Sequence, residues 1–201
     1  MSLRKAYLLI FILLLVDQVS KIYIKTNFVL GEEVRVFKWF RILFIENEGM
    51  AWGTVIPGTY GKLILTVFRI LAVGGIGYWL WDSVRTKRSN FLIVAVALIF
   101  AGALGNIIDS VFYGLIFSDS HHQLATLMAE NNYGTVFHGK VVDMLYFPFI
   151  EDATLPQWLP IWGGKQFTFF NAIFNIADMA ISTGVGILIV FNKKAFHKHQ
   201  D

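Results

Sequence analysis

Aspartates set in segments apolar enough to cross a bilayer are the residues of this chain best suited to chemistry. Asp17 interrupts the apolar run 6–24, Asp109 ends the run 91–108, and Asp178 sits within 169–191. A carboxylate in hydrocarbon costs several kcal/mol, so such a group faces a protein interior and marks a functional position. Polar partners stand at helical spacing. Asn106 and Asp109 are three residues apart, Asp17 and Lys21 are four apart, and Asn171, Asn175, Asp178 and Ser182 follow at four, three and four. Asp143, in Val141-Val142-Asp143-Met144, lies outside every long apolar run. Two carboxyl groups in an apolar site cannot both ionise cheaply, so they share one proton. The charged member can take a proton from water while the neutral one polarises a peptide carbonyl. That chemistry needs neither metal nor thiol, and Asp143 with Asp178 is the pair that fits it best.

The elements that position these groups follow from composition. Hydrophobic residues make up 56% of the 201 positions and charged residues 15%. A soluble domain of this length could not hide so much apolar surface, so lipid is the solvent for much of the chain. One membrane-embedded domain over 1–201 is expected. There is no cysteine, which excludes disulfides, thiolate catalysis and cysteine metal sites. The net charge of +3 forms no nucleic-acid patch. His121, His122 and His138 match no metal-ligand spacing, and no cofactor is expected.

Four runs are long enough for roughly 30 Å of hydrocarbon, near 6–24, 63–81, 91–109 and 171–191. The fold class expected is an all-α membrane protein of four transmembrane helices. The first run has no small-residue cleavage site after it and is read as an uncleaved span. Arg4 and Lys5 precede the first run, Arg85, Lys87 and Arg88 lie between the second and third, and Lys193, Lys194 and Lys198 follow the fourth. Short basic segments stay in the cytoplasm, so both termini are expected inside. The connections 25–62 and 110–170 then lie on the outer face. Residues 28–45 alternate apolar and charged side chains after the turn signal Gly31, as a short hairpin or small sheet on the membrane surface would.

This orientation puts Asp109 at the outer end of its run and Asp178 about 10 Å below the outer surface, at about 1.5 Å per residue. Asp17 and Lys21 fall in the outer half of theirs. A proton or ion pathway would need polar groups at every depth, and the inner half is nearly bare. A small transporter using Asp109 and Asp178 as a relay, and a non-catalytic binder of lipidated peptides, are the competing functions.

Five motifs occur in order: Asp17-Gln18-Val19-Ser20-Lys21, Asn47-Glu48-Gly49-Met50-Ala51-Trp52-Gly53, Gly105-Asn106-Ile107-Ile108-Asp109, Gly139-Lys140-Val141-Val142-Asp143 and Phe174-Asn175-Ile176-Ala177-Asp178. Together they resemble the motif set of bacterial lipoprotein signal peptidase (signal peptidase II). The resemblance implies an intramembrane aspartyl protease of the bacterial cytoplasmic (inner) membrane, with its active site toward the outer leaflet. Its substrates would be lipid-modified prolipoprotein signal peptides, cut just before the lipidated cysteine, in contact with membrane lipids. By resemblance Asp143 and Asp178 are the catalytic pair, and Asn47, Asn106, Asp109 and Asn175 orient it. Asp17 and Lys21 are read as an anchoring pair or a substrate contact. The family usually has arginine after the third-span aspartate, where this chain has Ser110; Arg69 is one candidate replacement cation for Asp109. The connection after Asp109 is also longer than in familiar members, because of residues 117–137.

Overall fold

The computed structural model describes residues 1–48, 61–128 and 130–196. Among the described residues three helices are long and apolar enough to cross a membrane: α1 (Leu3–Asn27), α2 (Gly61–Arg85) and α3 (Asn90–Ile108), the last running on to Ile116. Ser2 and Ser89 start α1 and α3 by accepting from the backbone N–H groups of Lys5 and Leu92. Large apolar side chains cover the outside of the bundle, among them Leu8, Phe11, Leu15 and Val19 on α1 and Ile64, Phe68 and Leu71 on α2. A surface of that kind suits lipid.

At Asp109 the third helix does not stop but widens into a π-helical stretch, Asp109–Tyr113, then closes as the short α4 (Gly114–Ile116). A π-bulge inserts one residue into the turn and re-aims the side chains around it. Next come strands β3 (Val141–Tyr146), β4 (Ile150–Thr154), β5 (Gln166–Phe169) and β6 (Ile173–Phe174). Helices α5 (Ile176–Val190) and α6 (Asn192–Ala195) complete the described chain.

The connection between α1 and α2 does form a hairpin. Its strands, β1 (Glu33–Phe37) and β2 (Phe40–Asn47), join β3 and β6 in a four-stranded antiparallel sheet ordered β1-β2-β3-β6. β4 and β5 form a separate hairpin. The expectation of an all-α protein is therefore corrected to a mixed architecture, because the connection 110–170 contains β3, β4 and β5, and part of the expected fourth span forms β6. Residues 49–53, the rest of the motif that starts at Asn47, lie outside the described residues.

The fourth span is corrected as well. Residues 171–175 are not helical: Ile173 and Phe174 are a strand, and α5 begins at Ile176 and has only 15 residues. Hydropathy cannot separate an apolar strand from an apolar helix. The boundary is set by Asn175, whose side chain accepts from the Asp178 N–H while the Asp178 carboxylate accepts from the Asn175 N–H. This reciprocal capping box starts the helix. Asn171 is exposed in the connection and Ser182 is exposed on the helix, so the expected polar stripe reduces to Asn175 and Asp178.

α3 is the central helix, packed on α1, α2 and α5. Its contact with α5 is so close that a Cβ at Gly102 would stand 2.2 Å from the Ala177 carbonyl oxygen and 2.7 Å from Ile181 Cγ1. Small residues in such crossings let two backbones meet. Gly102→Ala must push α5 outward, with an expected loss of about 1–3 kcal/mol from overpacking. Thermal unfolding in detergent should report it as a lowered Tm, accompanied by lost activity, because α5 carries Asp178.

Candidate active site

Helix α5 begins beside β3, and this junction brings Asp178 and Asp143 to one place. In the sheet register Asn47 faces Val141 and Ile45 faces Asp143. Asn47 and Asp143 are therefore diagonal neighbours on one face of the pleat, within reach of each other. Asn47 Nδ2 donates to Asp143 Oδ2 at 3.2 Å.

Asn175 ties the two carboxylates together. Its side-chain Nδ2 donates to Asp143 Oδ1 at 2.7 Å, while its backbone N–H donates to Asp178 Oδ2 at 3.3 Å. Its Nδ2 also lies 3.2 Å from the Val142 carbonyl and 3.2 Å from Asn106 Oδ1. Asn106, one turn before the π-helical stretch, donates through Nδ2 to Asp178 Oδ1 at 2.8 Å. Each aspartate thus receives a side-chain amide and is linked by Asn175 to the other. Asp178 lies at the third residue of α5, where the helix dipole favours negative charge.

Behind the pair stands a completely enclosed cation. Lys21 is 0% exposed, and its ammonium reaches Asp17 Oδ2, Asp109 Oδ2 and Asn106 Oδ1, each at 2.9 Å. An ammonium has three protons, and each has one acceptor here. Asp17 also accepts from the Ala177 N–H at 2.9 Å, so α1 contributes a second cap to the start of α5. Asp109 accepts from the Val142 N–H at 3.2 Å and from Gln18 Nε2 at 2.9 Å, and Tyr113 holds the other end of that amide. One ion cluster therefore locks α1, α3, β3 and α5 around the two aspartates.

The sequence-derived candidates come together almost completely: Asp143, Asp178, Asn47, Asn106, Asp109, Asn175, Asp17 and Lys21 form one network. Asp17 and Lys21 are not an interfacial anchor but part of its interior. Asp143 lies on a strand, not in a loop. Arg69 as the partner of Asp109 is corrected, since Lys21 fills that role. Ser110 is buried and donates to the Asn106 carbonyl, 3.0 Å away. Gln18 and Tyr113 were missed, although Gln18 lies inside the first motif. His121 pairs with Asp119 at the surface and His138 bonds Thr135, both away from this network.

Asp143 lies outside the membrane-spanning helices, and burial, then the charge of Asp178, pushes its carboxyl up to about 7. The amides of Asn47 and Asn175 and the charge of Lys21 oppose this only in part. Near neutrality the site therefore holds one acid able to donate a proton beside a second carboxylate, which is the requirement for concerted acid–base attack on an amide.

Residues 9–193 match the family model described as signal peptidase (SPase) II. A lipoprotein signal peptidase of Porphyromonas gingivalis is 50% identical over 184 residues, 90% of this chain and 80% of that protein. One from Amoebophilus asiaticus is 35% identical over 195 residues, 95% and 78% of the two. A bacterial membrane enzyme solved by the in meso method at 1.9 Å superposes with a TM-score of 0.63 at 25% identity, covering 96% of this chain and 94% of that one.

Proposed function

The chain belongs to the signal peptidase II family, and from that premise we propose that Asp143 and Asp178 are the aspartyl pair with which it hydrolyses its substrate. It is a membrane peptidase that removes signal peptides from prolipoproteins. Within that function the bond cleaved is the one just before a diacylglyceryl-modified cysteine, and the precursor approaches from the outer leaflet of the bacterial inner membrane. The basic segments beside the helices support this orientation, with both termini in the cytoplasm. The observation that carries the reading is Asn175, whose one side chain and one backbone N–H bond both carboxylates.

The division of labour follows from the surroundings. Asp143 holds the shared proton, because burial disfavours its charge. Asp178 acts as the base, held by Asn106, the Asn175 N–H and the start of α5. Asp178 takes a proton from the attacking water as the new C–O bond forms, and Asp143 gives its proton to the carbonyl oxygen. In the collapse, the proton on Asp178 passes to the leaving amine and the hydroxyl proton returns to Asp143. Asn47 and Asn175 hold Asp143, Asn106 holds Asp178, and the Lys21 cluster fixes the backbone that carries them.

Incubating purified protein with a diacylglyceryl-modified precursor tests the function. The expected product is a lipoprotein whose mass starts at the modified cysteine. Binding without cleavage would favour the competing role of a lipidated-peptide binder. The rate should also fall as pH rises through about 7, because Asp143 then loses the proton it must donate. The folded protein holds that proton more tightly than the unfolded chain. Its contribution to stability is therefore complete below about pH 4 and is lost as pH rises through about 7. A rate that stays level from neutral to clearly alkaline pH would count against Asp143 as the acid.

A further inference from the structure

A second buried charge cluster lies on the opposite face of β2 and β3, the strands that carry Asn47 and Asp143. Lys25, one turn beyond Lys21 on α1, is 0% exposed. Its ammonium bonds Glu46 Oε1 and, at 2.9 Å, Ser120 Oγ. Aromatic rings wall it in, with centroids 4.7 Å away for Tyr133, 5.4 Å for Phe117 and 5.8 Å for Phe44. Desolvated ring faces of this kind hold a cation well. Glu46 is itself buried, accepts from Ser120 at 3.0 Å and meets Lys140 at 3.4 Å.

The placement of Glu46 gives this cluster its meaning. Glu46 lies on β2 opposite Val142 of β3, immediately before Asn47, and successive strand residues point to opposite faces. Asn47 reaches Asp143 on one face while Glu46 is held by Lys25 on the other. Phe44 and Val142 line that rear face with Phe117. Three parts of the cage, Phe117, Ser120 and Tyr133, come from the longer connection 117–137. Ser120 also accepts from the Leu30 N–H through its carbonyl at 3.1 Å, tying that connection to the chain just before β1.

We infer that Lys25 is a positioning residue: caged by the 117–137 connection, it holds Glu46 and thereby sets the Asn47 amide on Asp143. This rests on the reading of Asp143 as part of the catalytic pair. It gives the added connection a definite role, closing the rear of the β2–β3 strands. Burial alone would raise the Glu46 carboxyl, but the charges of Lys25 and Lys140 and the bonds from Lys25 and Ser120 outweigh it and hold the carboxyl below its usual range. The charged groups facing Lys25 are Glu46, Lys140 and Asp119. Those facing Asp143 are Asp178 and Lys21.

The test is a double-mutant cycle of Lys25→Met with Asn47→Ala, read by kcat, KM and the pH profile of cleavage. Methionine keeps the apolar stem among the rings and removes the ammonium. A displacement near 1 Å at a reacting group costs on the order of 100-fold, so Lys25→Met should lower kcat roughly 10- to 100-fold with little change in KM. The Asn47 amide favours ionised Asp143, so losing it must move the alkaline limb to higher pH. Both single variants should show that shift, and the double variant should resemble Asn47→Ala, since the two act through one contact. Additive losses, or an alkaline limb left in place by Lys25→Met, would overturn the inference. Should Lys25→Met fail to fold, Glu46→Gln is judged by the same criteria, because it weakens the same hold at nearly constant shape. Asp143→Asn separates the two levels. If that variant stays active the catalytic assignment falls, whereas an additive cycle with inactive Asp143→Asn removes only the positioning role.

Discussion

Asp143→Asn is expected to lower cleavage at least about 10³-fold while leaving membrane insertion and precursor binding intact. The magnitude follows from removing the acid that must protonate the carbonyl, a contribution of roughly 10²–10⁴ by itself, together with the pairing that keeps one proton between two carboxylates. Asparagine has nearly the volume of aspartate, so the strand register around Val142 should survive. Asp178→Asn should be equally inactive, because a neutral amide cannot take a proton from water. The two losses should not multiply: once either half of the pair is gone, the other has no partner to work with. Single-turnover cleavage of a lipidated precursor, with binding followed separately, measures all of this.

The second large effect is on stability. Lys21→Met should destabilise the protein by about 3–5 kcal/mol, the range found when one member of a buried ion pair is removed. The reason is specific to this network. Asp109 is fully enclosed, Asp17 nearly so, and Lys21 is the cation within 3 Å of both. Without it two carboxylates remain in an apolar interior. Set against typical total stabilities of about 5–15 kcal/mol, such a loss is large enough to reduce the amount of folded protein. Adding Asp109→Asn should restore much of the Tm, since the amide can still accept from the Val142 N–H while one uncompensated charge disappears. A Lys21→Met protein that unfolds at the wild-type temperature would mean that the cluster is not what holds α1, α3, β3 and α5 together.

What could be read from the chain, and what could not, divides along the range of the interactions. Helical spacing paired Asp17 with Lys21 and Asn106 with Asp109, because contacts three and four residues apart are local. Asp143 and Asp178 are 35 residues apart, beyond helical spacing; the chemistry of two carboxyl groups in apolar surroundings pairs them, and the order of five short motifs agrees. A fourth helix expected from 171 begins only at Ile176, because Ile173 and Phe174 are as apolar as the helix that follows. Only the capping box of Asn175 and Asp178 separates strand from helix, and it was present in the sequence as Asn-x-x-Asp. Ser110 at the usual arginine position points to another cation for Asp109, and Arg69 is the nearest in kind. Helical spacing pairs Lys21 with Asp17 alone. An ammonium can serve three acceptors, and that capacity becomes visible only when α3 is placed beside α1. Lys25 is hidden in the sequence for a similar reason. It follows Asp17 and Lys21 at the same four-residue interval, yet its partners Glu46, Ser120 and Tyr133 are brought to it by the sheet and the 117–137 connection.

The stability and catalytic predictions also separate the roles of the aspartates. Asp17 and Asp109 share a proton-saturated cation and bind backbone N–H groups, so their chemistry is exhausted by holding elements in place. Asp143 and Asp178 are held by neutral amides, which fix position without cancelling charge. That difference supports the proposal that the second pair is the one that exchanges protons with a substrate.

The most direct test of this account is a single turnover of a diacylglyceryl-modified precursor in heavy-oxygen water, with wild type, Asp143→Asn and Asp178→Asn compared side by side. The account predicts that wild type releases a signal peptide with one heavy oxygen in its new terminal carboxylate, and that both variants bind the precursor and release none. Labelled signal peptide released at a wild-type rate by either variant would contradict it.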